Sequence, residues 1–241
     1  MNDTELTFAD KFLPVQQEFR KDFDGNDEAL LRGLFELVER CSGLRDPEEE
    51  LEIENTPKFT IPQMGSSPMM LRLLQFLVRL SGAKRVLEIG AFIGVSGMYM
   101  AKALPAGGKL TSIEKFDHFA EIARRNHRRN GLGDRIEVIV GDAFEVLKTM
   151  GEDGQQFDMV FLDGNKEKYA DYFEALDPFL APGGLFVTDD VFFHGDAVNA
   201  SPHSEKGEGA RRFLDLMAER ADYERLLLPL TNGLFLARKP A

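Results

Sequence analysis

Apolar residues first recur at helical spacing in "NDEALLRGLFELVERCSGL" (26–44), where Leu30, Leu31, Leu34, Phe35, Leu37 and Val38 share one face. The next stretch, "RDPEEELEIE", breaks that pattern with Pro47 and a run of acids and reads as a solvated connector. From Ser67 the periodicity alternates between helix and strand. "SPMMLRLLQFLVRLSG" predicts an amphipathic helix with Ser67 as N-cap, Pro68 in its first turn and Gly82 as its stop. "KRVLEIG", "GKLTSIEK", "DRIEVIVGD" and "FDMVFLD" predict buried strands, separated by helices over "VSGMYMAKALP", "FDHFAEIARRNHRRNGLG" and "AFEVLKTMG". A helix over "KEKYADYFEALDPFL" then leads through an "APGG" turn into the strand "LFVTDD". After a helix near 208–220, "YERLLLPLTNGLFLARK" offers two runs around "TNG", a hairpin signal.

Strands alternating with helices predict an α/β fold: a mostly parallel sheet covered on both faces, binding ligands at the strands' C-terminal ends. Residues 1–60 read as an N-terminal helical extension and 61–241 as the main domain. Composition adds limits. The 241 residues are 43% hydrophobic and carry a formal charge of -12, which argues against a duplex nucleic-acid partner or an anionic membrane surface. A single cysteine, Cys41, excludes an intrachain disulfide and a multi-cysteine zinc site, and the four histidines lack ligand spacing. The opening "MNDTELTFADKF" is acidic and has no apolar stretch, so a cytoplasmic protein without a signal peptide is expected.

Candidate chemistry sits at the strand ends. In "VLEIGAFIGVSGMYMA", Gly90 ends the first strand, Gly94 lies in the turn and Ser96 opens a helix whose free N–H groups suit an anion. Ala91 and Phe92 take the place of the second glycine of a dinucleotide fingerprint, so a pyrophosphate fits poorly. Glu114, ending the second strand, suits ribose hydroxyls; Asp142 suits an adenine amino group and the Ala143 N–H its ring. A nucleoside without pyrophosphate, beside an amino-acid anion, points to S-adenosylmethionine. Asp163, Asp189 and Asp190 stand at the ends of two strands predicted to be neighbours, and three converging carboxylates call for a cation. All-oxygen donors point to Mg2+, with Mn2+ or Ca2+ as alternatives.

The stretches "VLEIGAFIGVS", "GDA", "FLDGNKEKY", "APGGLFVTDD" with "FFHG", and "LLLPLTNGLFLARK" resemble the cation-dependent O-methyltransferases, the caffeoyl-CoA and catechol O-methyltransferases and their bacterial relatives. The resemblance runs from about Ile61 to Lys239. It implies a Rossmann-like class I methyltransferase fold, a seven-stranded mostly parallel sheet with an antiparallel last strand. It also implies S-adenosylmethionine held by Met64, Ser66, Glu88, Gly90, Ala91, Ser96, Glu114, Asp142, Ala143 and Asp163. The metal would be held by Asp163, Asp189 and Asp190, the last standing where better-known members have Asn. Lys166 would be the base that deprotonates one of two vicinal hydroxyls on a small aromatic acceptor, with a pKa lowered toward the working range. A homodimer is implied as well. Phe192 and Phe193 are expected as acceptor walls, while Tyr169, Tyr172 and His194 read as packing or turn residues. Two rivals remain: a methyltransferase of hydroxylated uridine in transfer RNA, for which "ARRNHRRNG" offers a basic patch, and a non-catalytic cofactor-binding protein.

Overall fold

The computed structural model describes residues 25–56, 65–151 and 154–241. Contacts divide the chain after Arg45. In the first unit, α1 (Asp27–Ser42) is capped by the Asn26 side chain, which accepts from the Ala29 N–H at 2.9 Å, and ends at Gly43 with φ 58°.

The second unit, from Asp46, holds the short helix α2 (Pro47–Glu50) and then α3 (Pro68–Ser81), with the Ser67 cap, Pro68 entry and Gly82 stop read from sequence. The alternation follows: β1 (Arg85–Ile89), α4 (Val95–Ala103), β2 (Lys109–Glu114), α5 (Asp117–Arg129), β3 (Ile136–Val140), α6 (Ala143–Gly151), β4 (Phe157–Leu162), α7 (Tyr169–Leu176), β5 (Leu180–Thr188), α8 (Glu205–Glu219), β6 (Glu224–Leu228) and β7 (Leu234–Arg238). The sheet order is β3-β2-β1-β4-β5-β7-β6. Strands β1 to β5 are parallel, and β7 runs antiparallel between β5 and β6. The hairpin is therefore inserted with its second strand inward. This follows from side chains: Leu234 and Phe235 of β7 are buried, whereas Leu226 and Leu227 of β6 remain exposed at the edge. Among the described residues, no helix is long and apolar enough to cross a membrane.

Two sequence expectations change in detail. "APGG" is part of β5 and not a turn before it: the register shifts between Phe157 and Met159, and the Gly183 N–H pairs with the Pro240 carbonyl at 3.1 Å. Gly183 carries φ 71°, so the irregularity is absorbed at a residue without a Cβ. The acidic connector is not merely solvated. Pro47 and Leu51 are buried, Glu50 accepts from the Tyr99 hydroxyl at 2.6 Å, and Glu54 pairs with Arg125 and Arg129 at 2.7 and 3.0 Å.

The partner of that connector is "ARRNHRRNG" on α5. Asn126, 0% exposed, accepts the Glu54 N–H at 2.7 Å and donates to the carbonyls of Glu54 and Ile93 at 3.2 and 3.0 Å. Asn130 brackets Glu52 in the same way, taking its N–H at 3.1 Å and giving to its carbonyl at 2.9 Å. Arg124 donates to the Val138 carbonyl at 2.7 Å. Arg125 and Arg129 are thus paired with a carboxylate of the chain itself and Arg124 is tied to a strand carbonyl, which reduces the basic patch that favoured a transfer RNA acceptor.

Replacing Asn126 by Ala leaves backbone groups of both Glu54 and Ile93 unpaired, a cost of about 1–3 kcal/mol per buried group. Urea unfolding should show that loss. Asn130→Ala, which touches only Glu52 and its own helix, should lose clearly less.

Candidate active site

Ladder hydrogen bonds continue past the strand ends and bring their tips to one rim. The Gly90 N–H reaches the Ile113 carbonyl at 2.9 Å, Asp163 N–H the Ile89 carbonyl at 3.0 Å, and Asp189 N–H the Leu162 carbonyl at 3.1 Å. The rim opens on a cavity of about 1020 Å³. Ser66, Gly90, Glu114, Asp142, Ala143, Asp163, Lys166, Asp189 and Asp190 all line it. Ala91 and Ser96 face a small adjoining recess with Ser66, Gly90 and Asp163. Met64 lies outside the described residues.

The glycine loop is held from three sides. Gly90 has φ 95°, and a Cβ there would meet the Asp163 carbonyl, so glycine is required by both conformation and space. Gly94 has φ 85° and lies against His127, whose Nε2 donates to its carbonyl at 3.2 Å. Burial pushes His127 down to about 4, so the ring is neutral near pH 7 and carries its proton on the nitrogen facing that carbonyl. Glu114 accepts the N–H groups of Phe92 and Phe116 at 2.8 and 2.9 Å, which ties the loop to the end of β2.

Glu88 does not line the cavity. It is 0% exposed behind the loop, accepting from the Ser96 and Ser112 hydroxyls. Burial raises its pKa to about 7 despite those two donors.

At the other end of the rim, β5 stops at Thr188, so the adjacent acids Asp189 and Asp190 are not forced to opposite faces of a strand. Asp190 turns the chain with φ 58°, and its N–H donates to the Asp189 carboxylate at 2.8 Å. The Lys166 ammonium reaches Asp163 at 2.7 Å and Asp190 at 3.3 Å. Among the described residues, no three acidic, histidine or cysteine side chains are already gathered around a point that could hold a metal ion. Burial would depress Lys166, but Asp163 and Asp190 outweigh it and hold the lysine well above its usual range. In this state it is an ammonium, the reverse of the lowered pKa expected for a base. Burial, then the neighbouring acids, raise Asp189 well above the usual carboxylate range; Asp163 is raised by burial and Asp190 against the opposing pull of Lys166.

The turn bearing Lys166 is positioned by α8. A Cβ on Gly209 would strike the Lys166 carbonyl and the Glu167 backbone, and Arg212 donates to the Glu167 carbonyl at 2.7 Å. The Tyr169 hydroxyl donates to the Asp189 carbonyl at 2.9 Å, joining this turn to the β5 tip. Tyr169 is thus a packing residue, as expected. Tyr172 packs and also lines the cavity, stacked on Phe144 at 4.5 Å. Phe193 and His194 line the cavity too, whereas Phe192 lies beneath Gly233, where a Cβ would strike its ring. Sequence reasoning missed Phe116, Phe119 and Phe144 as cavity walls, although each follows a strand-end acid by two to five positions.

Among the described residues, five non-glycine residues have positive φ: Phe92, Asp190, Phe193, His194 and Thr231. All five line this cavity, so the backbone strain of the unit is concentrated there.

Residues 45–240 match the family described as O-methyltransferase. The chain belongs to that family. Similar O-methyltransferases include the catechol O-methyltransferase of Niastella koreensis, 32% identical over 71% of this chain and 78% of the relative. Caffeoyl-CoA O-methyltransferase 1 of Eucalyptus globulus is 31% identical over 81% of this chain and 83% of its own. Among solved structures, the Bacillus cereus O-methyltransferase in complex with SAH has a TM-score of 0.70 and 27% identity, covering 94% of this chain and 97% of that one. TomG of Streptomyces achromogenes, solved with SAM, has a TM-score of 0.71 and 29% identity, covering 98% and 100%.

The buried Glu88 gives a pH signature. The folded O-methyltransferase chain keeps a proton on Glu88 up to about 7, whereas an ordinary glutamate releases it near 4.5. Folding therefore takes up a proton in that window, and the stability this adds is lost as pH rises through it. Melting temperatures of Glu88→Gln and wild type, compared from about pH 5 to about 7.5, should show the variant gaining on wild type as pH rises.

Proposed function

We propose that the chain transfers the methyl group of S-adenosylmethionine to one hydroxyl of a small catechol-like aromatic acceptor, with a divalent cation held by Asp163, Asp189 and Asp190. The observation that carries this reading is the placement of three carboxylates and Lys166 in one cavity with the glycine loop, Glu114 and Asp142. Relatives named for catechol and for caffeoyl-CoA, and neighbours solved with SAM or SAH, agree with it.

In this assignment the amino-acid end of the cofactor meets Ser66, Gly90 and the Ser96 helix start, Glu114 takes the ribose, and Asp142 with the Ala143 N–H takes the adenine. Ala91 and Glu88 shape the loop from behind, Glu88 through Ser96. The Tyr172–Phe144 stack and Phe116 supply flat apolar walls at the adenine end.

The donor set fits a hard divalent ion. The Lys166 ammonium pairs with Asp163 and Asp190, and Asp189 at the same rim has no cation of its own among the described residues. Burial first, then the neighbouring acids, raise Asp163 and Asp189, and all-oxygen donors of this kind suit a hard cation. Held by Asp163, Asp189 and Asp190, such an ion would supply the positive charge that lowers the pKa of the reacting hydroxyl from near ~10. Lys166 sits beside the same carboxylates and, as a free base, would accept that proton. Its present charge reflects the hold of Asp163 and Asp190, and any neutralisation of those two acids moves it toward the free base. The β4 and β5 tips fix the acceptor oxygen relative to the sulfonium methyl, and orientation of that kind can supply several kcal/mol of the barrier. Asp190 in place of Asn adds a charge that pairs with Lys166.

Lys166→Ala should reduce methyl transfer from labelled S-adenosylmethionine to catechol by about 10²–10⁴-fold, while affinity for S-adenosylhomocysteine by titration calorimetry stays within about twofold. Undiminished turnover would remove Lys166 from the mechanism.

A further inference from the structure

Four lysines line the cavity: Lys115, Lys166, Lys168 and Lys206. Three of them face carboxylates of their own chain. Lys115 pairs with Asp142 at 3.3 Å, Lys166 with Asp163 and Asp190, and Lys168 with Asp171 at 3.6 Å. Lys206, in the first turn of α8, has no ion pair or hydrogen bond among the described residues. Its ammonium stands 5.7 Å from the centre of the Phe193 ring.

The wall that carries Lys206 starts at the proposed metal acids. The Phe193 N–H bonds to the Asp190 carbonyl at 3.1 Å, the His194 ring lies 5.1 Å from Phe193, and the His194 N–H donates to the Asn232 side-chain oxygen at 2.6 Å. Asn232 spends its acceptor on that bond, which leaves its NH2 group as a donor beside the cavity. Asp190, Phe193 and His194 are among the strained residues, so this wall is held in an uncommon conformation. One end of the acceptor space is therefore rich in negative charge. The other presents a cation, an amide donor and an aromatic face. In a chain with net charge -12, an unpaired ammonium facing a cavity is set against the general trend.

We propose that the acceptor carries a carboxylate on the ring or on a short side chain, bound by Lys206 at the cavity mouth with Asn232 beside it, while the vicinal hydroxyls lie toward Asp163, Asp189 and Asp190. This rests on the catechol reading above and narrows it to anionic catechols. Lys206 is exposed, so its pair with the carboxylate is worth about fivefold in kcat/KM and weakens with added salt.

The test compares 3,4-dihydroxybenzoate and 3-(3,4-dihydroxyphenyl)propanoate, each with its neutral methyl ester, in wild type, Lys206→Ala, Lys206→Arg and Lys206→Glu. Wild type should prefer at least one acid over its ester by about fivefold, chiefly through KM, and lose the preference at high ionic strength. Lys206→Ala should bring that ratio to about one, Lys206→Arg should keep it, and Lys206→Glu should favour the ester. Equal use of acid and ester by wild type, or a ratio that is the same in the Ala and Glu variants, overturns the proposal and leaves the catechol reading standing. Methylation of none of these acceptors overturns both.

Discussion

Like charges at the tips of two neighbouring strands organise this molecule. Parallel pairing of β4 with β5 puts Asp163 beside Asp189, and the left-handed turn at Asp190 keeps a third carboxylate at the same rim. Such a group is stable only with positive charge nearby, and in this structure the charge comes from Lys166. The surroundings follow from holding that lysine in place: Gly209 lets α8 close against its turn, Arg212 ties the turn to the helix, and Tyr169 ties it to the β5 tip. A lysine bound this way is a poor base, and its chemistry depends on what neutralises its partners.

The glycine loop shows a second economy of the fold. Its carbonyls at Ile93 and Gly94 are fastened by Asn126 and His127, adjacent residues on α5, and its far side is fastened by Glu114. One helix therefore supports both the loop and the acidic segment at the start of the second unit. The loop's polar groups are satisfied from behind, leaving the N-terminal end of α4 open toward the recess.

Much of this was legible in the sequence because it follows from periodicity and strand-end chemistry. The order of strands and helices, the caps at Ser67 and Gly82, and the nearness of Asp163 to Asp189 all come from local patterns. What was not legible depends on long-range partners. The arginines of α5 look like a basic surface until Glu54, some seventy residues earlier, is seen against them. "APGG" looks like a turn because Pro240, whose carbonyl pairs with its Gly183, lies more than fifty residues later, just past β7. Glu88, which the resemblance implies as a cofactor residue, sits behind the loop against Ser96 and Ser112, a placement that depends on the partner strand. Phe192 and Phe193 are indistinguishable in sequence, and the positive φ at Phe193 sends only the second toward the cavity.

A cation held by these three carboxylates predicts a dependence that a chelator can reveal. Purified protein treated with EDTA and then dialysed should lose methyl transfer to a catechol, regain it on addition of Mg2+ or Mn2+, and fail to regain it when Asp189 is replaced by Asn. Full turnover in the chelated wild type would contradict the carboxylate site as the seat of catalysis.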